Sequence, residues 1–243
     1  MSSQPSMSRT RLEIPGTYNF REAAPGALRP GVFYRSDALH RLNGTGRRML
    51  GELDVRRVID LRSDIDRRFG GRDRLRGVRA EHIAIPISGV DRKVDPATLT
   101  LHTVYRTILG DYGAQVGAAI RAIAEADGAV VVHCTAGKDR TGLVAALTLL
   151  ALNVDYPTVA ADYTLSQVNL AGAWKEGIMR KTRLLRVTLT DALVEVMSGA
   201  PELELRGTLD WLGTEYGGVS SYLEHVGVDS AVVARLRSRL ALR

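Results

Sequence analysis

The sequence predicts an α/β fold: a mainly parallel sheet flanked by helices, with additional helices at the C-terminal end. Two observations carry this. Through the first 150 residues, short apolar runs of strand character alternate with segments of helical period. From Pro157 onward the pattern is helical throughout.

Residues 1–11 are polar and lack a periodic pattern, which predicts a flexible N-terminus; 12–243 read as one domain with helical elaborations. Pro15-Gly16 and Pro30-Gly31 are turn signals. The second precedes Val32-Phe33-Tyr34, a short strand ending at Arg35-Ser36-Asp37, and Gly46 to Leu53 reads as a short helix. Val55 to Leu61 is a strand that presents Asp60, Leu61 and Arg62 at its end. His82 to Ile87 is a further strand, assigned to an edge or terminal position by Pro86. Leu99, Val104, Ile108 and Leu109 mark one helix, and Val116, Ile120 and Ile123 the next. Ala129 to Val132 is a fully apolar strand, followed by a polar turn and a buried helix over Leu143 to Leu152. The helical remainder has breaks near Gly172–Gly177, Gly199–Pro201 and Gly217–Gly218. Lys175, Arg180, Lys181, Arg183 and Arg186 read as a solvated helical face.

Composition narrows the function classes. Apolar residues make up 45% of the 243, and none of their runs is long enough to cross a bilayer. The leading MSSQPSMSRTRLEIPG has no apolar segment of the kind a secretory signal needs, so the expected location is cytoplasmic. One cysteine excludes an internal disulfide framework and a cysteine-rich metal site. The net charge of +6 suits an anionic ligand and equally a basic protein with no special partner. No nucleic-acid-binding signature is present, so no nucleic-acid partner is expected.

That single cysteine lies in VVHCTAGKDRTG, residues 131–142. Cys134 ends a strand, Arg140 opens a helix, and five residues separate them. A loop of this length wraps a phosphate so that successive backbone N–H groups point inward, and the following helix adds its unpaired N–H groups and positive end. Thr135, Ala136, Gly137, Lys138 and Asp139 form that cradle. The same field favours thiolate over thiol, which makes Cys134 a nucleophile at neutral pH. Arg140 holds two phosphoryl oxygens and neutralises transition-state charge, so neither metal nor cofactor is called for. Gly137 permits a backbone conformation that a side chain would obstruct, and Gly142 allows close helix packing. His133 has two readings, holding the loop or stabilising the thiolate. The Thr141 hydroxyl is placed to hydrogen-bond the sulfur and improve it as a leaving group.

Two other readings compete. A lone cysteine is usually a small buried apolar residue, but the eight residues after Cys134 contain no Val, Ile, Leu or Phe and include two glycines. A nucleotide P-loop needs glycine where Val132 stands and Ser or Thr where Asp139 stands. Both requirements fail.

HC-x5-R-T resembles the signature of protein tyrosine and dual-specificity phosphatases, and HCTAGKDRTG is similar to a bacterial tyrosine phosphatase family with mycobacterial members. FYRSDAL at 33–39, VIDLRS at 58–63 and YLEHVGVDSAVVARLRSRL at 222–240 extend the resemblance over most of the chain. It implies a phosphatase-type α/β fold and a cysteinyl-phosphate mechanism. It also implies action on phosphotyrosine in proteins or peptides, with phosphoserine, phosphothreonine and phosphoinositides as a wider range. Lys138 matches a lysine shared with lipid phosphatases, and this opens the alternative of a phosphoinositide phosphatase. A silent phosphate-binding module is a further alternative, against which Cys134, Arg140 and Thr141 all stand.

Asp60-Leu61-Arg62 resembles the family's strand-end motif beside the site, which makes Asp60 a catalytic candidate and Arg62 a support; an ordinary strand-terminal carboxylate is the plain reading. Many related enzymes carry the general acid on an upstream loop, where Asp91 and Asp95 look like turn residues. The resemblance assigns that role to Asp139.

Overall fold

A computed structural model of the chain describes residues 11–89, 99–184 and 190–242. The N-terminus expected to be flexible falls, apart from residue 11, outside the described residues, as do Asp91, Asp95 and Arg186. The strands are β1 (Arg21–Glu22), β2 (Phe33–Ser36), β3 (Val55–Asp60), β4 (Glu81–Ala84) and β5 (Ala129–His133). They form one sheet in the order β1-β2-β5-β3-β4, antiparallel only between β1 and β2. β5 sits at the centre and is buried along its whole length, as a continuous apolar run requires when both faces are covered. β4 is an edge strand that ends at Ala84, and the Ile85 and Ile87 N–H groups on either side of Pro86 still donate to the Asp60 and Leu61 carbonyls.

Alternation along β5 divides the core. Val130 and Val132 face one apolar cluster with Ile59, Ile108 and Leu147, while Val131 faces another with Tyr34, Leu50 and Val58. The helices of the first half are α1 (Gly44–Glu52), α2 (Asp64–Gly70), α3 (Leu101–Gly110) and α4 (Gly113–Ala124). α5 (Asp139–Ala151) begins four residues before the apolar run that predicted it, so Arg140 lies in its first turn. Its apolar residues are buried on every side, which is why it shows little amphipathic pattern.

The C-terminal part is helical as expected: α6 (Tyr156–Leu170), α7 (Ala173–Leu184), α8 (Asp191–Ser198), α9 (Glu202–Tyr216), α10 (Val219–His225) and α11 (Ser230–Leu240). Gly172, Gly199 and Gly217 do break the chain, but Gly177 lies inside α7. A break at residues 226–229, with Gly227 at φ +78°, separates α10 from α11 and carries no proline or paired glycine to announce it. Lys175, Arg180, Lys181 and Arg183 are exposed on α7.

Register fixes the site's location. Ser36 and Asp60 both pair with His133, so the C-terminal ends of β2, β5 and β3 stand level. Ligands of open α/β sheets bind beyond that edge, and the polar loop 134–138 leaves the sheet there.

Candidate active site

Each peptide carbonyl of the loop is tied on the side away from its interior. His133 Nδ1 bonds the Cys134 carbonyl at 3.2 Å, and the Ala38 N–H donates to Thr135 O at 3.2 Å. Asn19 Nδ2 donates to Ala136 O and Gly137 O at 3.0 and 3.2 Å, and Arg35 Nη2 adds a bond to Gly137 O at 3.0 Å. The Lys138 carbonyl accepts from Gly142 N inside α5. A trans peptide points its N–H opposite its C=O, so the N–H groups of residues 135–138 are turned into the loop. The Gly137 N–H reaches the Cys134 sulfur at 3.3 Å. Gly137 itself sits at φ +68°, where a Cβ would collide with the Ser36 carbonyl.

The donors behind the loop form a buried network. Arg35 is fully buried and pairs with Asp162 of α6 at 2.5 Å; Arg21 joins the same carboxylate, and both guanidinium groups reach Ser166. Asp37 accepts from the Tyr18 and Asn19 N–H groups and so orients Asn19; burial outweighs these bonds and lifts its carboxyl to about 6. Gly142 lets Arg35 and Tyr163 approach α5 closely.

Cys134 is buried at the base of this cradle. Burial by itself would push the thiol up, but Arg140 and hydrogen bonds from Thr141 outweigh it and hold the thiol below its ordinary value. Thr141 Oγ1 is buried with no partner at full hydrogen-bond geometry among the described residues, which leaves the hydroxyl to the sulfur. Arg140 is fixed by three acceptors: Asp66 Oδ2 at 2.5 Å, Ile87 O at 3.1 Å and Thr135 Oγ1 at 3.3 Å. Asp66 is the N3 residue of α2 and closes a capping box with Ser63.

Asp139 lines the cavity in front of Arg140, a space of about 1120 Å³ bounded also by Ser63, Asp66, Pro86 and Tyr112. Its Oδ1 takes the Lys138 ammonium at 2.5 Å and the Tyr105 hydroxyl at 2.9 Å, and Tyr163 bonds Tyr105 in turn. Oδ2 has no hydrogen-bond partner among the described residues. Lys138 is wholly buried, its charge spent on Asp139 rather than offered to solvent.

Asp60 is not brought to the cavity. It is fully buried, and both of its oxygens are held by Arg62 at 2.9 and 3.0 Å. Arg62 also holds Asp73 at 2.8 Å, and Asp73 in turn binds His133 Nε2 at 2.8 Å and His82 at 3.1 Å. Asp60, Asp73 and His82 place ligand-type atoms within 4.8 Å of one another, but Arg62 and His133 already occupy the two carboxylates. His133 is thus the middle of a chain from Asp73 to the Cys134 carbonyl. Burial favours its neutral form, and Asp73 more than offsets this and raises its pKa. Asp66, Asp73, Tyr105, Asn19 and Arg35 carry no local signal of these roles, except that Ser63-x-x-Asp66 is a legible capping pattern.

A family model described as the tyrosine phosphatase family matches residues 12–242. The chain belongs to the tyrosine phosphatase family. It is a protein tyrosine phosphatase, similar over nearly its whole length to the triple specificity protein phosphatase PtpB of Mycobacterium tuberculosis: 31% identity over 275 aligned positions, covering 94% of this chain and 98% of that protein. A tyrosine-protein phosphatase of Nostoc commune is 30% identical, with 88% of this chain and 76% of that protein covered. Among solved structures, P. aeruginosa TpbA is 21% identical, covers 69% of this chain and 86% of its own, and superposes at a TM-score of 0.37. Among the described residues no helix is long and apolar enough to cross a membrane.

Proposed function

We propose that this phosphatase hydrolyses phosphotyrosine in proteins or peptides in two displacement steps, with Cys134 as nucleophile and Asp139 as acid and then base. The Cys134 thiolate attacks phosphorus in line; the S–P bond forms, the bond to the phenolic oxygen breaks, and Asp139 gives that oxygen its proton. Arg140 and the N–H groups of residues 135–138 take up the equatorial oxygens. Water then attacks the cysteinyl phosphate, Asp139 accepts its proton, and the sulfur leaves with Thr141 donating to it.

One observation carries this reading: every carbonyl of the loop is fastened outward, so the cradle stands assembled around the sulfur. Asp60 lacks access, because Arg62 holds both of its oxygens. The alternative phosphoinositide reading leans on Lys138 to select a second phosphate, and the burial of that ammonium on Asp139 counts against it.

The test is Asp139→Asn beside Asp60→Asn on aryl phosphates of graded leaving-group pKa. A positioned acid is worth roughly 10²–10⁴-fold, so Asp139→Asn loses most on poor leaving groups and little on activated ones. A uniform loss in Asp139→Asn with a steep dependence in Asp60→Asn assigns the acid to Asp60 instead. A phosphoinositide panel run alongside decides the substrate class.

A further inference from the structure

The connection from α2 to β4 carries an exposed cationic surface that the catalytic machinery does not use. Arg68, Arg72, Arg74, Arg76 and Arg79 are all exposed, and none has an ion-pair partner among the described residues. The acids of the same stretch are spent elsewhere: Asp64 on Arg67, Asp66 on Arg140, and Asp73 on Arg62 and His133.

The backbone there is pinned at two points. Arg62 Nη1 donates to Gly71 O at 2.8 Å, and the Arg74 N–H donates to Leu39 O. Asp73 turns inward, its side chain only 2% exposed, and Leu75 packs on the core. Arg72 and Arg74 alternate with the inward Asp73 and Leu75, and exposed Arg76 follows in the turn closed by the Val78 N–H on Leu75 O. Beside them Phe69 is 83% exposed, and Ile65, one turn earlier on the same face of α2, is 41% exposed. Ile65 also lines the catalytic cavity, which makes this surface continuous with the mouth of the active site.

We propose that this face docks the enzyme on an anionic phospholipid surface, with the arginines on the headgroups and Phe69 and Ile65 in the acyl boundary. Basic residues beside exposed aromatic and aliphatic side chains are the pattern of an interfacial anchor. A single-stranded nucleic acid would use the arginines and stack on Phe69, but it has no use for Ile65. Docked this way, the enzyme has its cavity opening along the membrane plane, toward phosphorylated groups held at that surface.

Co-sedimentation with vesicles of phosphatidylglycerol and phosphatidylcholine, against phosphatidylcholine alone, tests this. Binding to the anionic vesicles only, weakening as salt rises, is expected. At about a kcal/mol per arginine, R72Q/R74Q/R76Q loses roughly 100-fold in partitioning. Phe69→Trp shifts its emission to the blue on anionic vesicles, relative to the wild-type background. Both variants turn over a soluble aryl phosphate at the wild-type rate, which certifies their fold. Equal sedimentation of the glutamine variant and the wild type overturns the proposal. So does an unshifted indole emission from Phe69→Trp, and tight oligonucleotide binding alongside it would assign the face to nucleic acid.

Discussion

Asp66→Asn isolates the positioning of Arg140, the proposed phosphoryl clamp. In the wild type one carboxylate oxygen accepts from Arg140 Nη1 at 2.5 Å, from Ser63 N at 3.0 Å and from Ser63 Oγ at 2.9 Å. An amide keeps an acceptor for Ser63 but removes the charge opposite Arg140, which retains Ile87 O and Thr135 Oγ1. A hydrogen bond to a charged group contributes about 1–2 kcal/mol more than a neutral one. If that grip is expressed in the transition state, kcat and kcat/KM both fall by roughly 5–30-fold. Asp66→Ala loses the capping box as well, about 1 kcal/mol, which lowers Tm by roughly 2–4 °C. Burial would raise the Asp66 carboxyl, but Arg140 and Ser63 hold it below its ordinary value of 3.8. Its stabilisation is therefore present above that pH and lost as pH falls through the depressed pKa. Steady-state kinetics on an aryl phosphate and thermal melts of both variants supply the readout. Unchanged kcat/KM in Asp66→Asn, or equal Tm losses in the two variants, would refute this role.

Two further outcomes follow from the groups behind the loop. Asp73→Asn removes one partner of a buried pair and should cost roughly 3 kcal/mol, measured by chemical denaturation. Because Asp73 raises His133, the wild type keeps that stability below the ordinary histidine value of 6.5 and loses it as pH climbs through the raised pKa; the variant's stability profile should be flatter there. Gly137→Ala should abolish turnover, since a Cβ meets the Ser36 carbonyl at a positive φ, and activity within tenfold of wild type would contradict the rigid cradle.

The strand–loop–helix around Cys134 was readable in the sequence because its geometry is local: an apolar strand, a polar loop and a buried helix are contiguous from Ala129 to Ala151. Edge placement of β4 was equally local, since Pro86 announces it. Of what holds the loop, only His133 was legible, as one of two readings; the distant partners were not. Asn19 reaches Ala136 across 117 positions, and Arg35 reaches Asp162 across 127. Such pairings are set by sheet order and helix packing, which periodicity does not encode. Asp60 becomes a catalytic candidate because Asp60-Leu61-Arg62 resembles the family's strand-end motif, but Arg62, two residues on, closes back over it. No helix is assigned over α2 from the sequence, although Ser63-x-x-Asp66 is a local capping pattern, and nothing in that pattern signals that Asp66 serves Arg140. Lys138 reads in the sequence as part of the phosphate cradle; the structure buries its ammonium on Asp139 at the helix start.

Acid quench of the enzyme during turnover of an aryl phosphate, followed by peptide mass spectrometry, tests the covalent route most directly. The account predicts a phosphoryl adduct on Cys134, more abundant in Thr141→Ala because the sulfur then leaves without its hydrogen bond. Cys134→Ser should remain folded without multiple turnover, since its hydroxyl occupies nearly the same space but is a far weaker nucleophile. Sustained phosphate release by Cys134→Ser, with no adduct on Cys134 in the wild type, would contradict it.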